Sequence, residues 1–268
     1  MADIKGTGTP ALEGAIEEIS YGSFSEEGWG RGSIRVPYEM ALRIRVNQQE
    51  LGVILCTPIK LDCLVLGLLY SEGIISHLND VANIKVHQAE SLAEVMLSDS
   101  KRELPRFQMP GPGASFKAQR IDSALVISPM EILSLMERFQ EEMKLYQLCG
   151  GVHTSALSDA KDLLAVAEDI GRHNTLNKIQ GEILLRGLST KDRVLLSTAR
   201  FSSEMLLKAA KMGVPIVVAR HPPTGRAVSL ARDLGITLVG HSWGNKLSVY
   251  SHPERLSYPA GDNHLKAS

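Results

Sequence analysis

From residue 34 onward the apolar positions fall into short, regular patterns. Residues 41–46 read Ala-Leu-Arg-Ile-Arg-Val, alternating apolar and charged side chains as a strand with one buried face requires. Asn47-Gln48-Gln49-Glu50 reads as a turn and residues 51–56 as a returning strand, so a hairpin is expected. Thr57-Pro58 opens a helix that runs through Asp62 to Ser71 and stops near Gly73. Short strands follow at 84–87 and 93–97, which makes residues 31–127 a small α+β domain. Residues 1–30, interrupted by Gly22, Gly28 and Gly30, are expected to be a flexible segment. Pro110-Gly111-Pro112-Gly113 forces a loop over residues 106–117.

Ser128-Pro129-Met130-Glu131 combines a capping box with proline at the first helical position, predicting a helix to about Tyr146. Strands at 152–157 and 163–167 then precede a helix at 174–185. Next come a strand at 193–197, a helix at 203–212 ended by Gly213, and a strand at 215–219. A helix at 224–234 ended by Gly235 and a strand at 237–240 complete the series. Strands alternating with helices predict an α/β class domain over residues 128–268, its largely parallel sheet covered on both faces.

Charge and cysteine usage narrow the function classes. A formal net charge of −1 supplies no global field for nucleic acid or an anionic membrane, so neither is an expected partner. The most apolar stretch, residues 61–69, contains Asp62 and is too short to span a bilayer. The start lacks a basic region followed by an apolar run, and the three cysteines (Cys56, Cys63 and Cys149) have no metal-ligand spacing. A cytoplasmic protein with no tightly held metal is the expectation.

The densest chemistry is Glu168-Asp169-Ile170-Gly171-Arg172-His173-Asn174, between a strand and a helix. One reading fixes a bound group: Arg172 on a phosphate, His173 for proton exchange, Asn174 as helix cap. The other is a capping and salt-bridging corner. Gly150-Gly151 before His153 permits close backbone approach to a ligand or serves a simple turn. Cys149 beside it is a candidate thiol or an inert core residue. Polar loops follow three later strands: Ser197 to Glu204 with Arg200, His221 to Thr224, and His241-Ser242-Trp243-Gly244-Asn245-Lys246. In the last, Trp243 offers a stacking surface and Lys246 a charge for phosphate. Together they describe a cleft for a phosphorylated, nucleotide-like ligand.

Gly-Gly-Val-His-Thr-Ser-Ala-Leu at 150–157 and Glu-Asp-Ile-Gly-Arg-His-Asn-Thr-Leu-Asn-Lys at 168–178 resemble the central signature of the formate dehydrogenase accessory sulfurtransferases, the FdhD/NarQ family. Ser-Thr-Ala-Arg-Phe-Ser-Ser-Glu-Met at 197–205 and Ala-Ala-Lys-Met-Gly-Val-Pro-Ile-Val at 209–217 extend the match, which covers about residues 34–255. The resemblance implies a three-layer α/β/α cytidine-deaminase-like domain with a smaller α+β N-terminal domain. It implies sulfur received from a cysteine desulfurase and passed to the molybdenum or tungsten bis(molybdopterin guanine dinucleotide) cofactor, bound as a client before it enters the formate dehydrogenase catalytic subunit. It also implies guanine nucleotide binding, a homodimer, and a cofactor-contacting stretch at His241 to Lys246. Members with transferase activity carry Cys-Gly-x-Cys-Gly in the interdomain loop. Here that loop reads Gln108-Met109-Pro110-Gly111-Pro112-Gly113-Ala114-Ser115-Phe116, without cysteine. A thiolate is indispensable for persulfide chemistry. Either Cys149 has taken over, or the protein is a cofactor or apoenzyme chaperone that has lost sulfur transfer. A third alternative is a nucleotide-binding enzyme using Glu168, Asp169 and His173 for acid/base work.

Overall fold

A computed structural model of the chain describes residues 12, 14–102, 104 and 119–257. The expected loop at 106–117 lies outside them. The chain divides into two compact units that are not consecutive in sequence. The first takes residues 1–114, 143–155 and 166–188, and the second takes 115–142, 156–165 and 189–268.

The first unit holds a ribbon of strands β1 (Ile16–Ser25) and β2 (Gly28–Pro37), and a sheet built from β3 (Met40–Val46), β4 (Gln49–Cys56), β5 (Val81–His87) and β6 (Leu92–Leu97). The sheet order is β4-β3-β6-β5. In β3, Met40, Leu42, Ile44 and Val46 are buried while Ala41 and Arg43 are exposed, the alternation expected of a half-covered strand. Asn47 and Gln48 both adopt left-handed φ, +49° and +67°, as a two-residue hairpin turn requires. The Asn47 carboxamide also accepts the Leu97 N–H at 2.8 Å, tying the turn to β6.

Helix α1 (Leu61–Ser71) joins Leu42, Ile44, Val95 and Leu97 in the core. It crosses α4 (Arg172–Arg186) unusually closely. A Cβ on Gly67 would stand 1.7 Å from the Asn177 carbonyl oxygen, and one on Gly181 would stand 1.9 Å from that of Cys63. Each glycine therefore admits the other helix's backbone, which explains why residues 166–188 group with the first unit. Short helix α3 (Lys144–Cys149) also belongs to this unit.

The second unit contains β9 (Val194–Ser197), β10 (Ile216–Ala219), β11 (Thr237–Trp243) and β12 (Lys246–Ser251), paired in the order β12-β11-β10-β9. Pairing of β9 to β10 and of β10 to β11 is parallel, and β11 to β12 is antiparallel. All four residues of β9 and of β10 are buried, as strands covered on both faces should be. Helices α2 (Pro129–Glu141), α5 (Ser203–Met212) and α6 (Gly225–Leu234) complete it, α2 and α6 packing on β11 and β12. Strands β7 (His153–Ser158) and β8 (Leu163–Asp169) straddle the division, their connecting stretch 156–165 belonging to the second unit.

The α/β class expected from the sequence is what the structure shows. Several expectations are corrected. Residues 16–30 are not a flexible segment: they form β1 and the start of β2, with Gly32 lying under the Tyr21 ring. The helix from Pro129 stops at Glu141, and α3 begins anew at Lys144 because the Glu168 carboxylate caps it. The boundary at residue 128 also gives way to the interleaved division, because α4 packs on α1. Residues 241–246, read as a loop after a strand at 237–240, are mostly strand. β11 runs on to Trp243 and β12 starts at Lys246, because the two strands pair antiparallel across a turn at residues 244–245. Among the described residues, no helix is long and apolar enough to cross a membrane.

Candidate functional site

The candidate residues divide between the units. Cys149, Gly150, Gly151, His153 and residues 168–174 belong to the first, Arg200 and residues 241–246 to the second.

In the first unit the two carboxylates are turned inward. Glu168 accepts the Leu145 and Tyr146 N–H groups at 2.7 and 3.0 Å, and the Thr154 hydroxyl at 3.3 Å. It thus supplies the negative charge and acceptors that the start of α3 lacks locally. Asp169 accepts from the Thr57 N–H, the Gly171 N–H and the Asn174 amide, at 3.2, 2.8 and 2.9 Å. It also pairs with Lys178 at 2.6 Å, both side chains having no solvent exposure. Lys178 donates further to the Thr57 and Glu168 carbonyls, each at 3.0 Å. The ammonium thereby fills its three donors, which is what a buried charge requires. Asn174 also donates to the Leu55 carbonyl at 2.8 Å. Acid/base use of Glu168 and Asp169 is opposed by this arrangement, since protein donors occupy their oxygens.

Lys178 and Thr57 were not singled out from sequence. A signal was present: Lys178 stands among Thr175, Leu176, Ile179 and Ile183, all buried on α4. Arg172 opens α4, and its buried Nε has no acceptor among the described residues. His173 follows it, half-buried. Gly150 and Gly151 both take positive φ, +63° and +66°, and a Cβ on Gly151 would meet the Pro37 ring at 3.2 Å. His153 opens β7, half-buried.

The thiols are held protonated. Burial, reinforced by Asp169, raises Cys56 from 9.0 to about 12. Burial, reinforced by Asp62 and Glu182, raises Cys63 from 9.0 to about 12. Cys149 is partly exposed, its Sγ 3.2 Å from the Leu145 carbonyl. Burial and the Glu168 charge raise its pKa as well. An activated thiolate needs the reverse, a nearby cation or a helix N-terminus.

In the second unit the backbone draws the three polar loops together. The Thr224 N–H donates to the Phe201 carbonyl at 3.1 Å, and a Cβ on Gly240 would lie 3.0 Å from both the His221 carbonyl and the Pro223 ring. Ser202 caps α5 and Thr224 caps α6. Arg200 is exposed. Pairing of β11 with β12 is irregular between Gly240 and Trp243, where His241 takes a left-handed φ of +52°. A non-glycine residue so placed costs about 1–3 kcal/mol. The bulge turns Ser242 inward, fully buried, with its hydroxyl lacking a partner among the described residues. That adds a desolvation cost of about 1–3 kcal/mol. Two consecutive costs at one bulge mark a place where the fold gives up stability.

Ser242 lines a cavity of about 280 Å³ together with Leu133, Met136, Glu137, Gln140 and Gly244. The four α2 residues follow the i, i+3, i+4, i+7 spacing of one helical face. Apolar side chains, a carboxylate, an amide and a buried hydroxyl around one space suit a small ring system with polar edges. His241, Gly244, Asn245 and Lys246 are exposed beside it, and Trp243 pairs its backbone with Lys246. Among the described residues no group of His, Cys, Asp and Glu could hold a metal ion.

A family model described as the FdhD/NarQ family matches residues 37–257. The chain belongs to the FdhD/NarQ family. Curated FdhD relatives include the "Sulfur carrier protein FdhD" of Staphylococcus aureus strain Newman, 36% identical over 234 residues, covering 81% of this chain and 88% of that protein. The protein of that name in strain MRSA252 is equally similar, 36% identical over 234 residues. Among solved structures, a formate dehydrogenase accessory protein from Desulfotalea psychrophila superposes with a TM-score of 0.77 at 25% identity, covering 90% of this chain and 99% of that one.

Proposed function

We propose that this FdhD-family protein serves formate dehydrogenase maturation as a cofactor-holding chaperone and does not itself carry sulfur. Its place in that maturation is supported by family membership and by what its relatives are called. The observation that carries the second half is the state of the cysteines. Residues 108–116 contain none, and the three present are two buried thiols raised to about 12 and a third also raised. Sulfur relay needs a thiolate that can attack and be attacked in turn.

In this reading the client is the molybdenum or tungsten bis(molybdopterin guanine dinucleotide) cofactor. The cavity under Ser242 has room for one of its heterocycles, while exposed Lys246 and Arg200 meet phosphate. Client apoenzyme then receives the cofactor from that unit, and any sulfuration is performed by another thiol.

The test is incubation with a cysteine desulfurase and ³⁵S-cysteine, followed by non-reducing electrophoresis and mass spectrometry of each cysteine. The staphylococcal relative serves as positive control. This chain is expected to stay unlabelled. Label on Cys149, abolished by Cys149→Ala, would overturn the reading and restore a carrier role.

A further inference from the structure

The hairpin that carries Ser242 holds two irregularities, and they are related. Between Leu238 and Val239 the partner position jumps from Ser251 to Val249, which leaves Tyr250 as an extra residue on β12. Between Gly240 and Trp243 it moves only from Ser248 to Lys246, so His241 and Ser242 stand against Leu247 alone. One bulge adds a residue to β12 and the other adds one to β11. They cancel: Trp243 meets Lys246, the partner it would have had with neither bulge. A seamless hairpin is therefore available without moving either end. It would set Val239 against Tyr250, Gly240 against Val249, His241 against Ser248 and Ser242 against Leu247.

Both ends are fixed. The Ser251 hydroxyl accepts the Leu238 N–H at 3.1 Å and donates to the Ile236 carbonyl at 2.8 Å, and the Thr237 hydroxyl donates to the His252 carbonyl at 2.8 Å. Strand β10 pairs with β11 from Thr237 to Val239. At the other end the turn is two residues long, with Gly244 at a φ of +58°. Between these anchors little chooses the register. Leu247, Ser248, Val249 and Tyr250 are all half-buried, so a one-residue slip, which turns each to the opposite face, uncovers no deeply buried side chain. Gly240 lies against the Tyr250 ring, a Cβ there falling 3.1 Å from Cε2, and without a side chain it accepts either neighbour. The bulged register carries the left-handed His241 and a Ser242 hydroxyl with no partner among the described residues. Seamless pairing requires neither.

We propose that the hairpin exchanges between these two registers and that filling the cavity selects the bulged one. Bulges re-aim side chains, and this bulge turns Ser242 into the cavity wall. A ligand with a polar edge gives the Ser242 hydroxyl the partner it lacks, in one register only. Such a differential contact is what shifts an equilibrium. Selection by ligand rests on the reading of this cavity as the cargo site, whereas the exchange itself does not. Exposed His241 sits on the bulge, so the outer surface of the hairpin differs between an empty and a loaded chain. A protein that receives the cargo can tell the two apart.

Nitrogen-15 relaxation dispersion on the deuterated full chain tests this, because it reads motion on the μs–ms scale residue by residue. Exchange is expected at residues 239–242 and 247–250 and not at Thr237 or Ser251. His241→Gly supplies the residue that a left-handed bulge position favours and a regular strand does not, and should lower the minor population by about tenfold. His241→Val, whose β-branched side chain resists that φ, should raise it by about tenfold. Circular dichroism is expected to stay native for both. Saturating GDP should suppress the exchange. Silence at residues 239–242 and 247–250, exchange reaching equally through Thr237 and Ser251 as the whole hairpin frays, or indifference to both substitutions would each overturn the exchange. GDP that binds and leaves the exchange unchanged would overturn selection by cargo. GDP that fails to bind would remove the cargo reading, and selection with it, while the two variants still decide the exchange.

Discussion

Lys178 is a fully buried ammonium facing Asp169 at 2.6 Å, and it decides what the densest polar stretch of the chain does. Removing one partner of a buried ion pair strands the other charge. Lys178→Met is therefore expected to lower stability by about 3–5 kcal/mol, read by urea denaturation. Lys178→Met combined with Asp169→Asn should recover part of that loss. The thiols give a second residue-scale expectation. Cys56 and Cys63 ionise at about 12 in the folded chain and at 9.0 ordinarily, so stability is intact below 9.0 and falls as pH rises toward 12. Native protein should accordingly resist iodoacetamide at both positions at pH 8, and lose that resistance in urea. At this scale the sequence displayed the density of charge in residues 168–174 but not its direction. Asp169 is satisfied partly by Thr57, 112 positions away, and no local pattern announces such a partner. The capping and salt-bridging reading describes Glu168 and Asp169. Asn174 is not the helix cap, since α4 starts one residue after Gly171 and the Asn174 amide donates instead to Asp169 and the Leu55 carbonyl. The buried Nε of Arg172 has no acceptor among the described residues.

Among elements, the α1–α4 crossing carries the most specific demand. Gly67→Ala would drive a methyl group to 1.7 Å from backbone oxygen, which no side-chain adjustment relieves. A loss of about 3 kcal/mol or more, the upper end for overpacking, should appear as a lowered thermal midpoint, with Gly181→Ala behaving alike. Most elements were legible because their periodicity and caps agree. Alternation fixed β3, Ser128-Pro129 fixed the start of α2, and Gly213 and Gly235 fixed the ends of α5 and α6. The β1–β2 ribbon was not legible. Its glycines at 22, 28, 30 and 32 look like breaks, and its side chains bury too little to show an apolar period. The break between α2 and α3 was hidden for a different reason: the group that caps α3 is Glu168, from β8.

Across the molecule, the loops after β9, β10 and β11 were readable as one polar cluster, whereas the bulge that buries Ser242 was not. Register irregularities depend on partner strands that a local pattern does not contain. The cavity beside it lies wholly in the second unit, so ligand there should raise stability by mass action, about 2.7 kcal/mol at a hundredfold excess over the dissociation constant. GDP is expected to raise the thermal midpoint. Glu137→Gln should weaken its binding by about tenfold, as loss of one charge-assisted hydrogen bond would. Calorimetry with GDP showing no heat would remove nucleotide from the proposed cargo.

The interleaving of the two units also bears on how the protein is made. Residues 143–155 and 166–188 belong with the first unit, so its core is incomplete until the ribosome has delivered residue 188. At about 5–20 residues per second, the stretch from 114 to 188 takes roughly 4–15 s, during which α1 has no α4 to close against. A stop codon placed in the Pro/Gly loop would release a nascent chain with its apolar helix uncovered, a substrate for chaperones and proteases, not a working half.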